Sequence, residues 1–404
     1  MASESRVGMA GQRMRNNRGL VSASTATMTD SSHRVHGLAG DEIAPDWPAL
    51  TTAEVDTLLD AMPPLAPPRR IIWHSPRPLS AACLVQTAGG TVFVKRHHQS
   101  VRRTATLREE HEFIAHLRGA GLPLARLLAD TQGNTAIDRG DWVYEVHEQA
   151  DGIDLYRETI SWSPPTQVAH ALAAGQMLAR LHRAAEGYAA AQRSTHVLVA
   201  RSELVTAADP VQALAAQLDE RPGLADYLHG REWRSDLAAL FAPWLPAQPA
   251  LARQPRLWTH GDWHVSNLCW SRAGDDATIT AVLDFGLAAA TFSLFDLATA
   301  IERNAVAWLE LDRGDAAVHA DVALALIAGY RQVRPLDRSD VHLLAELLPV
   351  VHVDFALSEV EYFHAVTRDR HAADVAYDTF LRGHAAWFST RPGQALLDAI
   401  HAAA

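Results

Sequence analysis

Alternating apolar and polar positions mark short strands in the first third of the chain, and helical spacing dominates the rest. Residues 70–74 and 82–87 read as strands, Gly89-Gly90 as a hairpin turn, and Thr91–Lys95 as the returning strand. In that strand Val92 and Val94 share one face, Phe93 and Lys95 the other. Leu107, Phe113, Ile114 and Leu117 fall on one stripe, which predicts a helix over 104–118 ended by Gly119, Gly121 and Pro123. Two more strands are expected at 134–138 and 142–148. Ahead of the sheet, Thr52 is the expected cap of a short helix reaching Met62, with Glu54 and Asp56 in its first turn and a proline-rich stop over 63–68.

Beyond Asp151-Gly152 the chain becomes rich in Ala and Leu. Helices are expected over 166–185, 210–218, 314–333, 338–365 and 371–402, interrupted by strand-like pieces at 268–271 and 278–284. The pattern divides the chain into a tail (1–45), a small sheet-based lobe (46–150) and a large helical lobe (151–404). The tail mixes Ser, Thr, Gly, Asn and Arg without apolar periodicity, and Met14 and Met28 offer later start sites within it.

Composition narrows the function. The chain has 404 residues, 48 % of them apolar, and a formal charge of −11. So acidic a chain argues against general nucleic-acid binding, which needs Lys and Arg to displace phosphate counterions. The two cysteines, Cys83 and Cys269, form neither a zinc pattern nor a disulfide framework, so a reducing cytoplasm is expected. No stretch reads as apolar enough to span a bilayer, and no secretory signal is visible, so no membrane partner is expected.

The densest chemistry lies in His260-Gly261-Asp262-Trp263-His264-Val265-Ser266-Asn267, followed by Val282-Leu283-Asp284-Phe285-Gly286. Asp262 and Asn267 stand five residues apart, the spacing at which a kinase loop sets an acceptor-orienting Asp against a metal-holding Asn. Asp284 then opens an Asp-Phe-Gly, where the kinase template binds magnesium. Phosphoryl transfer is mainly positioning and charge neutralisation, magnesium takes hard oxygen ligands, and the acceptor hydroxyl needs a carboxylate within reach.

These strings resemble the aminoglycoside phosphotransferase family and its relatives, which include choline kinases, homoserine-kinase-like enzymes and a bacterial stress-response protein kinase. The resemblance covers residues 70 to 365. It implies a two-lobed, protein-kinase-like α+β fold with a small antiparallel-sheet lobe and a large helical one. It also implies ATP and Mg2+ in the cleft, Asp262 as catalytic base, and Asn267 and Asp284 as metal ligands. Asp296, in Phe295-Asp296-Leu297-Ala298, would support the loop. Lys95 would contact the α and β phosphates and Glu110 would fix it, with Glu109 and Glu112 as neighbouring alternatives. Residues 148–150 would form the hinge against adenine, and Leu178–His182 is similar to the family's LxxLH segment. The implied acceptor is a hydroxyl on a small molecule or a protein Ser/Thr. The Glu110 helix region and the glycine-free turn at 74–80 look similar to the stress-response branch, which hints at a protein or sugar-like acceptor.

One departure stands out. The turn His74–Ser80 carries no glycine, so backbone cradling of phosphates cannot be assumed there, and Ser75, Arg77 or Ser80 are candidates for that work. Blander readings compete elsewhere. Lys95 could be a strand-end lysine reaching to water, and Glu110 could lie on a solvated helix face. His264 could touch phosphates or merely pack, His97-His98 reads as a surface turn, and Trp263 and Trp270 as core. Asp354, Glu359 and Glu361 could face the acceptor or bulk water. Two rival functions are a catalytically silent binding module on the same fold and a non-haem iron oxygenase. For the latter, His260-x-Asp262 with His319 or His352 would imitate a two-His-one-carboxylate triad, which the helical character after residue 300 disfavours.

Overall fold

The computed structural model describes residues 45–404 apart from 63, 64, 66, 158, 160 and 161. The expected tail and part of the proline-rich stop therefore lie outside the described residues.

The first helix, α1 (Thr52–Leu59), is capped by Thr51, one residue earlier than expected. The Thr51 hydroxyl accepts from the Glu54 amide and the Glu54 carboxylate accepts from the Thr51 amide, which satisfies two otherwise orphan donors. Strands β1 (Arg70–His74), β2 (Ala81–Thr87) and β3 (Gly90–His98) follow, then α2 (Thr104–Gly119), β4 (Ile137–Arg139) and β5 (Trp142–Glu148). The five strands form one antiparallel sheet in the order β1-β2-β3-β5-β4. Its period-2 alternation divides two jobs. Cys83, Val85, Val92, Val94, Tyr144 and Val146 bury one face against Val55, Leu58 and Leu59 of α1. Ala82, Leu84, Phe93, Lys95, Glu145 and His147 line a cleft on the other.

Helix α3 (Val168–Ala185) opens the helical part. Five short helices come next: α4 (Glu203–Thr206), α5 (Pro210–Gln217), α6 (Pro222–Leu228), α7 (Trp233–Phe241) and α8 (Gln248–Leu251). Strands β6 (Arg256–Thr259), β7 (Leu268–Trp270), β8 (Ile279–Val282) and β9 (Ala289–Phe292) make two antiparallel pairs, β6 with β9 and β7 with β8. Helices α9 (Ser293–Ala305), α10 (Ala320–Arg331), α11 (Arg338–Leu347), α12 (Val353–Glu361), α13 (Arg370–Val375), α14 (His384–Trp387) and α15 (Arg391–Ala402) complete the order. Helices α3 and α10 cross with their backbones nearly touching. A Cβ at Gly175 would fall 2.1 Å from the Leu326 carbonyl oxygen, so only glycine fits there.

The run Arg338–Thr367 corrects one expectation. It is long enough, and with a mean hydropathy of 1.5 apolar enough, to match a membrane span. Yet 78 % of its most apolar window is buried inside the protein, where Val341, Leu344, Leu347, Val353, Ala356 and Val360 pack in the main core. Its hydrophobicity serves folding.

Candidate active site

The loops leaving β6 and β8 carry the chemistry. The first, 260–267, is held from beneath by Asp296 at the start of α9. That buried carboxylate accepts from the His260 and Gly261 amides, each at 2.9 Å, and from His182 Nε2 at 3.0 Å. Burial opposes its charge, but His182, His260 and the Gly261 amide hold its pKa below the ordinary range. The loop turns at Gly261, whose φ is +78°, and a Cβ there would meet the Leu287 carbonyl oxygen at 2.7 Å. Asn304 secures the far side: its Oδ1 accepts from the Val265 amide at 3.0 Å and its Nδ2 donates to the Trp263 carbonyl at 2.9 Å.

Asp262 projects from this loop. Asn267 Nδ2 donates to the Asp262 carbonyl oxygen at 2.9 Å and to its Oδ2 at 3.2 Å. Arg303 of α9 pairs with Asp262 Oδ1 at 2.8 Å, and His264 Nε2 lies 3.6 Å from Oδ2. Although burial works against ionisation, Arg303, His264 and His260 depress the Asp262 pKa far below the usual carboxylate range. His264 itself is lowered to about 4, chiefly by burial and by the Arg303 and Arg77 charges, against the pull of Asp262. It is neutral near pH 7.

Asp284 follows β8 in a left-handed conformation, with φ of 54°. That conformation is costly for a residue with a Cβ and is often found at functional sites. Its Oδ1 accepts from Lys95 Nζ at 2.9 Å and from the Gly286 amide at 3.3 Å. Burial would push the Lys95 pKa down, but Asp284, Glu145 and Glu110 together raise it. Lys95, Glu110, Asn267 and Asp284 line one cleft, together with residues 148–150. Asp262 adjoins it through Asn267.

The structure thus brings Asp262, Asn267, Asp284 and Lys95 together, but it pairs Lys95 with Asp284 rather than with Glu110. Glu110 is buried 3.7 Å from Arg193, with Oε2 lacking a hydrogen-bond donor. Glu109 also turns to Arg193, at 3.2 Å. The carboxylate directly across the sheet from Lys95 is Glu145, its register partner on β5. Glu145 Oε1 meets His97 Nε2, and Oε2 meets His111 and His147 Nε2, all at 3.0 Å. Burial would raise the Glu145 pKa, but the three imidazoles hold it well below the usual range.

His97 is therefore buried in a strand and not in a surface turn, because β3 runs on to His98. The alternation that put Phe93 and Lys95 on one face, extended by two residues, would have placed His97 there as well. Trp263 and Trp270 are fully buried, as expected. Asp354 and Glu361 are buried too: Asp354 accepts from the Leu204 amide and Glu361 binds Arg221. Arg303 was missed, and nothing in its local sequence marks it.

The oxygenase reading fails on hydrogen bonding. His260 Nδ1 accepts from the Asp262 amide at 3.2 Å and its Nε2 donates to the Leu283 carbonyl at 2.8 Å, so neither nitrogen has a lone pair for a metal. His352 instead meets the Leu381 carbonyl.

A sheet-borne lysine, an Asp-x4-Asn loop and an Asp-Phe-Gly around one cleft define a kinase-like phosphotransferase architecture. The comparisons agree: residues 79–336, well over half of the chain, match the model of the phosphotransferase enzyme family, APH, and the chain belongs to that family. The fold is similar to that of a microcompartment-associated aminopropanol kinase, at 16 % identity over 85 % of this chain and 99 % of that one, with a TM-score of 0.52. It is also similar to an aminoglycoside 2'-phosphotransferase-IIIa variant solved with GDP, at 13 % identity over 85 % and 100 %, with a TM-score of 0.50. Among curated proteins, the homoserine kinase of Rhodopseudomonas palustris (strain TIE-1) is 25 % identical over 61 % of this chain. That of Gluconacetobacter diazotrophicus is 30 % identical over 49 %. The alignments span only 65 % and 54 % of those two relatives' own lengths.

Proposed function

We propose that this protein transfers the γ-phosphoryl group of ATP to a hydroxyl of a small molecule, with Mg2+ as cofactor. The observation that carries the reading is the meeting of Lys95, Asn267 and Asp284 in one cleft, with Asp262 hydrogen-bonded to Asn267.

The residues present fit the metal. Asn267 spends its Nδ2 on Asp262, so its Oδ1 and the Asp284 carboxylate remain as hard oxygen donors. The Lys95 ammonium, 2.9 Å from Asp284, marks that carboxylate as a cation's partner. Among the described residues no three His, Cys, Asp or Glu side chains converge on a metal. Magnesium held by one or two side chains and the substrate's own phosphates needs no such cluster. When bound, it would neutralise charge on those phosphates.

The protein's own groups then divide the work. Lys95 would leave Asp284 for the phosphates, whose negative charge would keep it protonated. Residues 148–150 would meet adenine. Asp262, fully ionised, would accept the proton of the acceptor hydroxyl. The bond from γ-phosphorus to the acceptor oxygen forms as the bond to the β–γ bridging oxygen breaks, and ADP departs with that electron pair. The homoserine kinases among the relatives favour a small hydroxy amine as acceptor over a protein Ser/Thr.

The test is a screen of hydroxy amino acids, amino alcohols and aminoglycosides for accelerated ADP release in the presence of magnesium. One or more should accelerate release in the wild type and none in Asp262→Asn. Equal release from both proteins would refute the assignment.

A further inference from the structure

The turn between β1 and β2 hangs over the cleft where a kinase would use glycines and backbone amides to hold phosphates. From Ser75 to Pro78 the backbone has little to offer. Pro76 and Pro78 have no N–H. The Ser75 amide donates to the Ala82 carbonyl at 2.8 Å and the Arg77 amide to Ser75 Oγ at 3.3 Å, so both are spent. What the turn does offer is a guanidinium.

Arg77 lines the cleft with Lys95, Asn267 and Asp284. Its Nη2 donates to Ser266 Oγ at 3.3 Å, a contact that spans 189 residues of chain. Among the described residues no carboxylate comes within ion-pair distance of it, whereas its neighbours Arg303 and Lys95 each have one. The charges of Asp262, Asp284 and Asp154 reach this half-buried guanidinium without ion-pairing it, so its five donors, one of them spent on Ser266, are open to an anion, and its planar fork suits phosphate oxygens. Ser266 extends the contact inward. Its hydroxyl lies 2.6 Å from His264 Nδ1, and His264 Nε2 faces Asp262 Oδ2 at 3.6 Å. The ionised Asp262 carboxylate can only accept, so neutral His264 carries its proton on Nε2 toward it and its Nδ1 accepts from the Ser266 hydroxyl. Polar contacts therefore run from the turn to the proposed base, hydrogen bonds as far as His264 and a 3.6 Å charge contact beyond it.

We propose that Arg77 is a phosphate clamp replacing the missing glycine loop, binding the terminal phosphate oxygens of the nucleotide, while Ser266 and His264 hold it in register with Asp262. This deepens the phosphotransferase reading and rests on it. As charge spreads over the equatorial oxygens of the transferring group, the guanidinium stabilises it, with the bond changes and proton transfer already described.

The test uses the full chain and three variants, Arg77→Met, Arg77→Lys and Ser266→Ala, with thermal unfolding as the control for folding. Binding of ATP and of AMP, each with magnesium, is measured by calorimetry, and turnover at saturating ATP with the best acceptor. Arg77→Met should weaken ATP binding at least about 10-fold while changing AMP binding less than about 2-fold, and lower kcat by roughly 10²–10³-fold, as loss of one preorganised donor does. Arg77→Lys should recover part of the ATP affinity and little of the rate, since an ammonium lacks the fork. Ser266→Ala should lie between Arg77→Met and the wild type. An unchanged ATP-to-AMP ratio in Arg77→Met, or an equal loss for both nucleotides, would overturn the clamp. A wild type that binds ATP without transferring its phosphate would sink the phosphotransferase reading instead, and the binding ratio would still decide for or against the clamp.

Discussion

The loop around Asp262 and the sheet around Lys95 face each other across one cleft, yet they are built on different rules. The loop is a local device. Asp262 and Asn267 touch across five residues, Asp296 and Asn304 pin the backbone from buried positions, and His182 holds Asp296. The lysine's surroundings are assembled from β3, α2 and β5, which meet only through tertiary packing. There the sequence pattern points to Glu110, but the carboxylate with the strongest support is Glu145, saturated by three imidazoles. Motif spacing predicts contacts within a loop well, because few conformations satisfy them. It predicts contacts between elements poorly, because strand register and helix rotation decide them.

The contrast can be broken from either side. The largest effect belongs to the loop: Asp262→Asn should lower turnover by about 10²–10⁴-fold, the usual worth of a general base. Steady-state ADP release measures it, and a loss below tenfold would remove Asp262 from the chemistry. On the sheet side, Glu145→Ala strands three histidines around a buried void. It should cost about 3–5 kcal/mol in chemical denaturation, as breaking a buried hydrogen-bonded charge does. Glu110→Gln, buried but with one contact at 3.7 Å and no hydrogen bond at Oε2 to lose, should cost less than Glu145→Ala. Equal costs would mean that Glu110 is as firmly engaged in the buried network as Glu145.

A smaller effect separates the two sides of Asp262. Asp262, Asp284 and Asp296 are held below the usual carboxylate range, whereas Glu359 is raised from 4.5 to about 8. Burial is the main cause, with Asp262 and Asp46 adding to it and Arg303 opposing. Between those two values the folded chain keeps a proton that the unfolded chain has released, so each rise in pH favours unfolding. The contribution is fully present below about pH 4.5 and is lost by about pH 8. Thermal unfolding should show stability falling over that interval, and Glu359→Gln should flatten the fall. A slope unchanged in Glu359→Gln would mean that Glu359 is already ionised.

Much of the fold was legible because its signals are short-range. The alternation in β2, β3 and β5 and the stripe of α2 gave the sheet and its helix, and β5 fell on the expected residues 142–148. The helices between 203 and 251 were largely missed, since they are only 4 to 9 residues long and several begin at a proline. Strand β9 was hidden as well, because Ala289–Phe292 is buried on both faces and shows no alternation. In the site, the meeting of Asp262 with Asn267 could be read from spacing, and the Asp296 prop from the family resemblance. Arg303 could not: it reaches Asp262 from a helix 41 residues downstream in the chain, stacked over Trp162, and only the packed structure joins them.

The central claim is that these groups move a phosphoryl group, and label transfer tests it most directly. With γ-labelled ATP, magnesium and a hydroxy amine, the wild type should place label on the acceptor. Asp262→Asn, still folded and still binding nucleotide, should place almost none. Label that stays wholly on ATP across the acceptor panel, or that reaches the acceptor equally in both proteins, would contradict the account.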